Sequence, residues 1–396
     1  MDVALLLLAL LGHAALWVAL VNRIHAQGLP RWIIKLTTTS SLLLMACIPV
    51  AAACWCFAWG PALQALRDGT FFRSLPAGAM FYLLICWIGA AVTIPRWVRR
   101  HLLHRPPAIV RFHRIRSLLR SARRAPAAGA QPHHFLVRLP GNQSLHLDLC
   151  ERAIDVPRLP PALDGLSLVH LSDLHFTGLV GKPYFQELVR LSNELQPDLV
   201  ALTGDLVDHS RYIDWVHDTL NCLTARYGVY FVLGNHDIRV DTRRLIAAME
   251  HSGLCYLGGR HVQVEIRGVP VLLAGNELPW LTPAADLEHC PPPRKGGPFR
   301  IVLAHSPDQL EWARAHDADL LLAGHTHGGQ IRLPLIGPIF APSRVGVKYA
   351  SGVFHAPPTI MHVTRGISGE LPFRWNCAPE MAHLVLHAQK PSAPQP

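Results

Sequence analysis

Charge is scarce in this sequence: only 16% of its 396 residues are Asp, Glu, Lys or Arg, against about 25% in ordinary soluble domains. With half of the residues hydrophobic, that deficit points to membrane segments. Paired cysteines are lacking too. Cys47, Cys54, Cys56 and Cys86 lie in apolar stretches, and Cys150, Cys222, Cys255, Cys290 and Cys377 are scattered, with no zinc-like spacing. This excludes a disulfide framework and reads as reduced thiols in a cytosol-facing protein. Acidic residues are missing altogether from Gly69 to Leu147, where ten arginines fall between Arg96 and Arg124. That one segment accounts for the formal net charge of +10, so the basic balance says little about the rest of the chain.

Three stretches are long enough for a hydrocarbon core that needs about 20 apolar residues: residues 3–21, 37–59 and 75–94. Pro49 falls inside the second, which a packed membrane helix tolerates, and Trp17, Trp59 and Trp97 lie near segment ends, where interfacial anchors sit. The first stretch has no basic leader and no small-residue cleavage site, so a membrane span is preferred to a signal peptide. The arginine run after the third span sets the topology by the positive-inside bias. The N-terminus is then outside and the C-terminal three quarters of the chain lie in the cytoplasm; the expected localisation is that of an integral, multi-pass protein of the inner membrane.

Within the arginine run, Ile109, Phe112, Ile115 and Leu119 recur at a spacing of three to four. A helix here would carry an apolar stripe edged by cations, suited to an anionic leaflet; a nucleic-acid patch and a solvated linker are the competing readings. Residues 99–132 are therefore expected to be a basic juxtamembrane amphipathic segment ending in the linker Arg123–Pro132. A globular domain follows over 133–390, with a short tail at 391–396. "FLVRL" and "LHLDL" around Pro140-Gly141-Asn142 predict a hairpin. Beyond it, strands and helices alternate: helices over 184–195, 212–225, 242–251 and 308–315, and short apolar runs that mark strands covered on both faces.

Five of these runs end in metal-binding residue types: "SDLH" (Asp173, His175), "TGDLVD" (Asp205, Asp208), "LGNHD" (Asn235, His236), "LAHSP" (His305) and "AGHTH" (His325, His327). Ligands gather at the carboxyl ends of strands in α/β sheets, and residues i and i+2 of an extended chain point the same way. Carboxylate, imidazole and amide oxygen suit Mn, Fe, Zn or Mg, and the lack of thiolate speaks against a structural zinc knot. Each motif is weak alone; the ordered set is not.

The set resembles the calcineurin-like metallophosphoesterase superfamily over about Leu166 to Gln330, and "GHTHGGQ" with the later "TRG…FRWNCAPE" resembles its bacterial membrane-associated branch. The resemblance implies a four-layer αββα sandwich, preceded here by an all-α region of three transmembrane helices. It implies two divalent ions, manganese favoured: one held by Asp173, His175, Asp205 and His327, the other by Asp205, Asn235, His305 and His325, with His236 contacting phosphate and protonating the leaving group. Asp208 and Asp237 are expected to orient other groups. Such a pair of ions, about 3.5–4 Å apart, brings the pKa of water from 15.7 to about 7.

The expected activity is hydrolysis of a phosphodiester or pyrophosphate, with a lipid-linked substrate such as UDP-2,3-diacylglucosamine. The alternatives are a phosphodiesterase acting on nucleotides or nucleic acid, and a non-catalytic membrane-tethered scaffold. Arg239 and Arg332 are weighed as diphosphate contacts against a role as surface cations, and Arg365, Arg374 and Glu380 as structural parts of the closing motif.

Overall fold

The structure, a computed structural model, describes residues 1–58, 60–100, 109–119 and 135–389. Trp59, the expected linker Arg123–Pro132 and the tail at 391–396 lie outside the described residues. The chain divides into two compact units, Met1–Arg105 and Pro106–Pro396.

The first unit holds α1 (Asp2–His25), α2 (Arg31–Ala58), α3 (Gly60–Asp68) and α4 (Ala77–Val98). Three helical stretches, Asp2–His25, Arg31–Cys56 and Ala77–Val98, are long and apolar enough to cross a membrane. α1 and α4 approach closely because Gly12 has no side chain: a Cβ there would lie 1.7 Å from the Cys86 carbonyl oxygen, the small-residue contact that apolar helices use in place of hydrophobic driving force. His13 in the middle of α1 has both ring nitrogens engaged, by the Tyr82 hydroxyl at 2.6 Å and the Met45 carbonyl at 3.0 Å.

The second unit is built on two facing sheets. The first runs β1 (Val110–Leu119), β2 (Leu147–Val156), β15 (Glu380–Ala388), β3 (Leu166–Leu171), β4 (Leu199–Thr203), β5 (Val229–Val232) and β6 (Cys255–Tyr256) in that spatial order. The second runs β13 (Gly352–Ala356), β14 (Thr359–Val363), β10 (Leu320–Ala323), β9 (Phe299–Ala304), β8 (Val269–Asn276) and β7 (His261–Ile266). A small hairpin, β11 (Arg332–Leu333) with β12 (Gly337–Pro338), stands apart.

Alternation places Leu168, Leu384, Ile301 and Leu320 in one apolar layer between the sheets. The other face of the first sheet packs against α5 (Lys182–Glu194), α6 (Trp215–Leu220) and α7 (Thr242–His251), through Leu188, Val216 and Leu245. The outer face of the second sheet receives α8 (Leu310–Ala315) through Leu310 and Ala313. The result is helices, two mixed sheets, helices. Each large side chain buried in these layers contributes about 1.5–3 kcal/mol.

Three local expectations differ from what is seen. Residues 110–119, expected as a surface helix, form edge strand β1, antiparallel to β2. Val110, Phe112 and Ile115 suit a pleated strand, and β2 offers an otherwise unpaired row of backbone groups. This part of the juxtamembrane segment is thus the first strand of the second unit. The hairpin expected over 135–149 does not form: Phe135–Arg138 is a 3-10 turn, and Asn142 donates to the Leu136 and Pro372 carbonyls, both at 2.7 Å. The helix expected over 212–225 is cut to Trp215–Leu220, because Asn193 of α5 takes the Cys222 carbonyl at 2.6 Å and the Thr224 N–H at 3.0 Å.

β3, β4 and β5 are parallel, as are β8, β9, β10 and β14. The polar residues singled out above follow the carboxyl ends of β3, β4, β5, β9 and β10.

Candidate metal centre

The loops leaving these strands turn sharply, and the turns fall on the polar residues themselves. Asp173, His175, Asp205, His325 and His327 have φ of 55°, 48°, 54°, 68° and 49°, a left-handed backbone that non-glycine residues adopt at a cost of roughly 1 kcal/mol each or more. Such strain persists only where the surroundings over-determine it. Glycines make the close approach feasible: a Cβ on Gly234 would lie 2.3 Å from Asp205 Oδ1, and one on Gly324 would lie 2.6 Å from Asp173 Oδ2.

The side chains converge. Asp173, His175, Asp205 and His327 bring one donor atom each to within 4.8 Å of one another, and so do Asp205, His305 and His325. Asp205 belongs to both groups, with Oδ2 3.6 Å from His175 Nε2 and 3.2 Å from His305 Nε2. Asn235 Oδ1 lies 3.1 Å from His305 Nε2, and His325 Nδ1 is 3.1 Å from the same nitrogen. His327 Nε2 stands 3.5 Å from Asp173 Oδ1. His236 Nε2 is 4.0 Å from Asp205 Oδ2, at the rim of the cluster.

A second ring of groups aims the first. The Thr203 carbonyl accepts from His305 Nδ1 at 2.7 Å. Asp208 accepts from His175 Nδ1 at 2.8 Å, and its other oxygen from His236 Nδ1. Arg239 lies 2.8 Å from that same His236 nitrogen; since its proton goes to Asp208, Arg239 acts there as a neighbouring charge. Asp237 points away and accepts the N–H groups of Gly234, Leu206 and Val207 at 2.8–2.9 Å. Trp280 covers the imidazoles of His305 and His325, with ring centroids 5.4 and 4.8 Å away.

The electrostatics report an excess of negative charge in a buried place. Burial pulls the pKa of His175 down, yet Asp208, Asp205 and Asp173 outweigh it and raise it to about 9. His305 likewise rises to about 9, chiefly through Asp205, against the pull of burial. Burial and neighbouring imidazoles hold His325 and His327 well below the usual range. Among the described residues, the buried Nε2 atoms of His175 and His325 have no hydrogen-bond partner, which is costly unless something else binds them. Orphaned imidazole nitrogens around a shared carboxylate, with only oxygen and nitrogen donors, fit divalent cations.

Every strand-end residue named in the sequence thus arrives at one place. Of the remaining candidates, Arg239 stands beside His236 and Arg374 reaches the edge of the cluster, while Arg332 and Arg365 are engaged elsewhere. Arg332 donates to the Gly328 carbonyl at 2.7 Å, Arg365 to Glu380 at 3.0 Å, and Arg374 to the Arg365 carbonyl at 2.7 Å. Arg374 also places its guanidinium 3.4 Å from His327 Nδ1. Sequence reasoning missed Trp280 and the Thr203 carbonyl: a lone Trp in an irregular loop and a backbone oxygen leave no local signature.

Residues 166–329 match the family model described as calcineurin-like phosphoesterase. The chain is 33% identical over 231 residues to phosphodiesterase YaeI of Escherichia coli K12, covering 55% of this chain and 81% of that protein. It is 28% identical over 253 residues to the metallophosphoesterase YkuE of Bacillus subtilis 168, covering 61% and 85%. It is 30% identical over 262 residues to a bovine transmembrane protein with metallophosphoesterase domain, covering 59% of this chain and 56% of that one. Fold and site together define a metal-dependent phosphoester hydrolase of the phosphodiesterase type. The chain belongs to the calcineurin-like phosphoesterase family.

Proposed function

We propose that this protein is a membrane-anchored phosphodiesterase or pyrophosphatase that binds two divalent cations, manganese favoured, and acts on a lipid-linked substrate. Asp173, His175, Asp205 and His327 would hold one ion, and Asp205, Asn235, His305 and His325 the other. The observation that carries this reading is the position of Asp205 between the two histidine groups. When bound, such a pair of cations supplies a water of lowered pKa and neutralises charge on the phosphate.

The chain's own residues do the rest. Asp205 and Asp173 bring negative charge that offsets the ions, while the neutral amide of Asn235 leaves the second position more electrophilic than a third carboxylate would. His236 holds a proton on Nδ1 against Asp208 and presents Nε2 to the departing oxygen, to which it gives its proton. Asp208 stabilises the imidazolium that precedes this transfer. Trp280 keeps water from one side of the centre.

Localisation supports the lipid substrate: three helices long and apolar enough to cross a membrane are a large investment for a freely diffusing one. The arginine run after the third helix supports, through the positive-inside bias, a catalytic unit on the cytoplasmic side of the inner membrane. UDP-2,3-diacylglucosamine is the specific candidate. Purified full-length protein supplied with Mn²⁺ is expected to hydrolyse bis-(p-nitrophenyl) phosphate and to release UMP from that lipid. Hydrolysis of the first without UMP above a metal-free control would remove this lipid and keep the chemistry. Hydrolysis of neither would remove both.

A further inference from the structure

The loop that carries His325 and His327 runs directly into the hairpin β11–β12, whose tip is Pro334-Leu335-Ile336. Leu335 is 88% exposed and Ile336 50% exposed. Leu335 sits at φ 63°, a turn position where glycine or asparagine is the norm. Two large apolar side chains therefore occupy a turn that solvent would fill with polar residues.

The tip is held in place relative to the metal centre. Arg332 Nε donates to the Gly328 carbonyl at 2.7 Å. Pro338 closes on Gly329, where a Cβ would lie 2.2 Å from the Pro338 ring. On the other side, Arg332 N–H donates to the Trp375 carbonyl at 2.9 Å and Trp375 N–H to the Gln330 carbonyl at 3.1 Å. Gln330 Nε2 donates to the Leu371 carbonyl at 3.0 Å. Leu371 and Trp375 are themselves 56% and 38% exposed, so the apolar surface extends from the tip across the adjoining loop.

Charge along the segment that carries the tip has one sign. No Asp or Glu occurs between Asp319 and Glu370, while Arg332, Arg344 and Lys348 do. Apolar side chains standing out of a surface beside an aromatic residue, on a segment whose charges are all cations, match the interface of an anionic bilayer; Glu370, next to Leu371, is paired with Arg239 at 3.6 Å.

We propose that the Leu335–Ile336 tip, with Trp375 and Leu371, docks on an anionic lipid leaflet and holds the mouth of the metal centre against it. This rests on the phosphodiesterase reading for the site and on the lipid reading for the substrate, which then reaches phosphorus without its acyl chains leaving the leaflet.

The test uses the full chain reconstituted in vesicles of phosphatidylcholine and phosphatidylglycerol, with a trace of phospholipid bearing a photoactivatable diazirine on its acyl chain. After irradiation, the tryptic peptide 333–344 is expected to carry label, alongside peptides from α1, α2 and α4. In the double variant Leu335→Glu, Ile336→Glu its labelling should fall about fivefold or more with the helices unchanged. Hydrolysis of hexadecyl p-nitrophenyl phosphate in the vesicles should drop by roughly tenfold, and hydrolysis of water-soluble bis-(p-nitrophenyl) phosphate should not change. Labelled helices with an unlabelled 333–344 peptide overturn the proposal, and the wild-type labelling decides this even if the double variant fails to fold. A labelled peptide in a protein that hydrolyses only the soluble diester overturns the lipid-substrate reading and leaves the docking surface standing.

Discussion

One carboxylate, that of Asp208, holds two imidazoles of the candidate metal centre at once: Oδ2 lies 2.8 Å from His175 Nδ1, and Oδ1 accepts from His236 Nδ1. It fixes the tautomer of both rings, leaving each Nε2 turned towards Asp205. A group that orients a metal-binding histidine typically accounts for 10–100-fold in affinity or activity. Asp208→Asn is expected to lower both Mn²⁺ affinity and kcat within that range, whereas Asp208→Glu keeps part of each. Unchanged metal affinity in Asp208→Asn would show that His175 needs no orienting partner.

His236 is assigned proton transfer to the leaving group, which contributes about 10²–10⁴-fold where the leaving group is poor. His236→Ala should therefore lose far more activity on an alkyl phosphodiester than on bis-(p-nitrophenyl) phosphate, whose phenolate departs without help. Equal losses on the two substrates would assign His236 to binding.

Gly234 lets the carboxylate of Asp205 pass: a Cβ there would sit 2.3 Å from Oδ1 and 2.6 Å from the Asp205 backbone nitrogen. Gly234→Ala is expected to displace the shared carboxylate and weaken metal binding by roughly tenfold or more, with far-ultraviolet circular dichroism unchanged. Retention of full metal affinity would mean that Asp205 has room to move.

Glu277 is buried, accepting the Leu233 N–H at 2.6 Å and the Tyr256 hydroxyl at 2.9 Å. Burial raises its pKa from 4.5 to about 7. The folded protein keeps this proton where the unfolded chain has released it, so stability falls as pH rises from about 4.5 to about 7. Its contribution across that window is about 3 kcal/mol. Glu277→Gln should flatten the fall in the thermal unfolding midpoint over this range. An identical pH profile in the variant would place the titration elsewhere.

The strand ends of the second unit were legible because the clustered polar residues sit on them. Asp173 and His175, or His325 and His327, follow a short apolar run and precede a turn, so the sequence pattern and the cluster coincide. Edge strand β1 was not legible. Ile109, Phe112 and Ile115 repeat at three, and the shifts in pairing between Val110 and Phe112 and between Ser117 and Leu119 break the two-residue alternation that would have revealed a strand. β15 lies between β2 and β3 although it is the last strand among the described residues, a long-range pairing that no local pattern encodes. Trp280 reaches His305 and His325 from a loop whose course is set by packing, and composition alone carries no trace of it.

The shared position of Asp205 is tested most directly by counting metal. Full-length protein purified and equilibrated with Mn²⁺ is expected to hold two ions per chain by elemental analysis, and Asp205→Asn to hold at most one, weakly. One ion or none in the wild type, or two retained in Asp205→Asn, would contradict a centre built around that carboxylate.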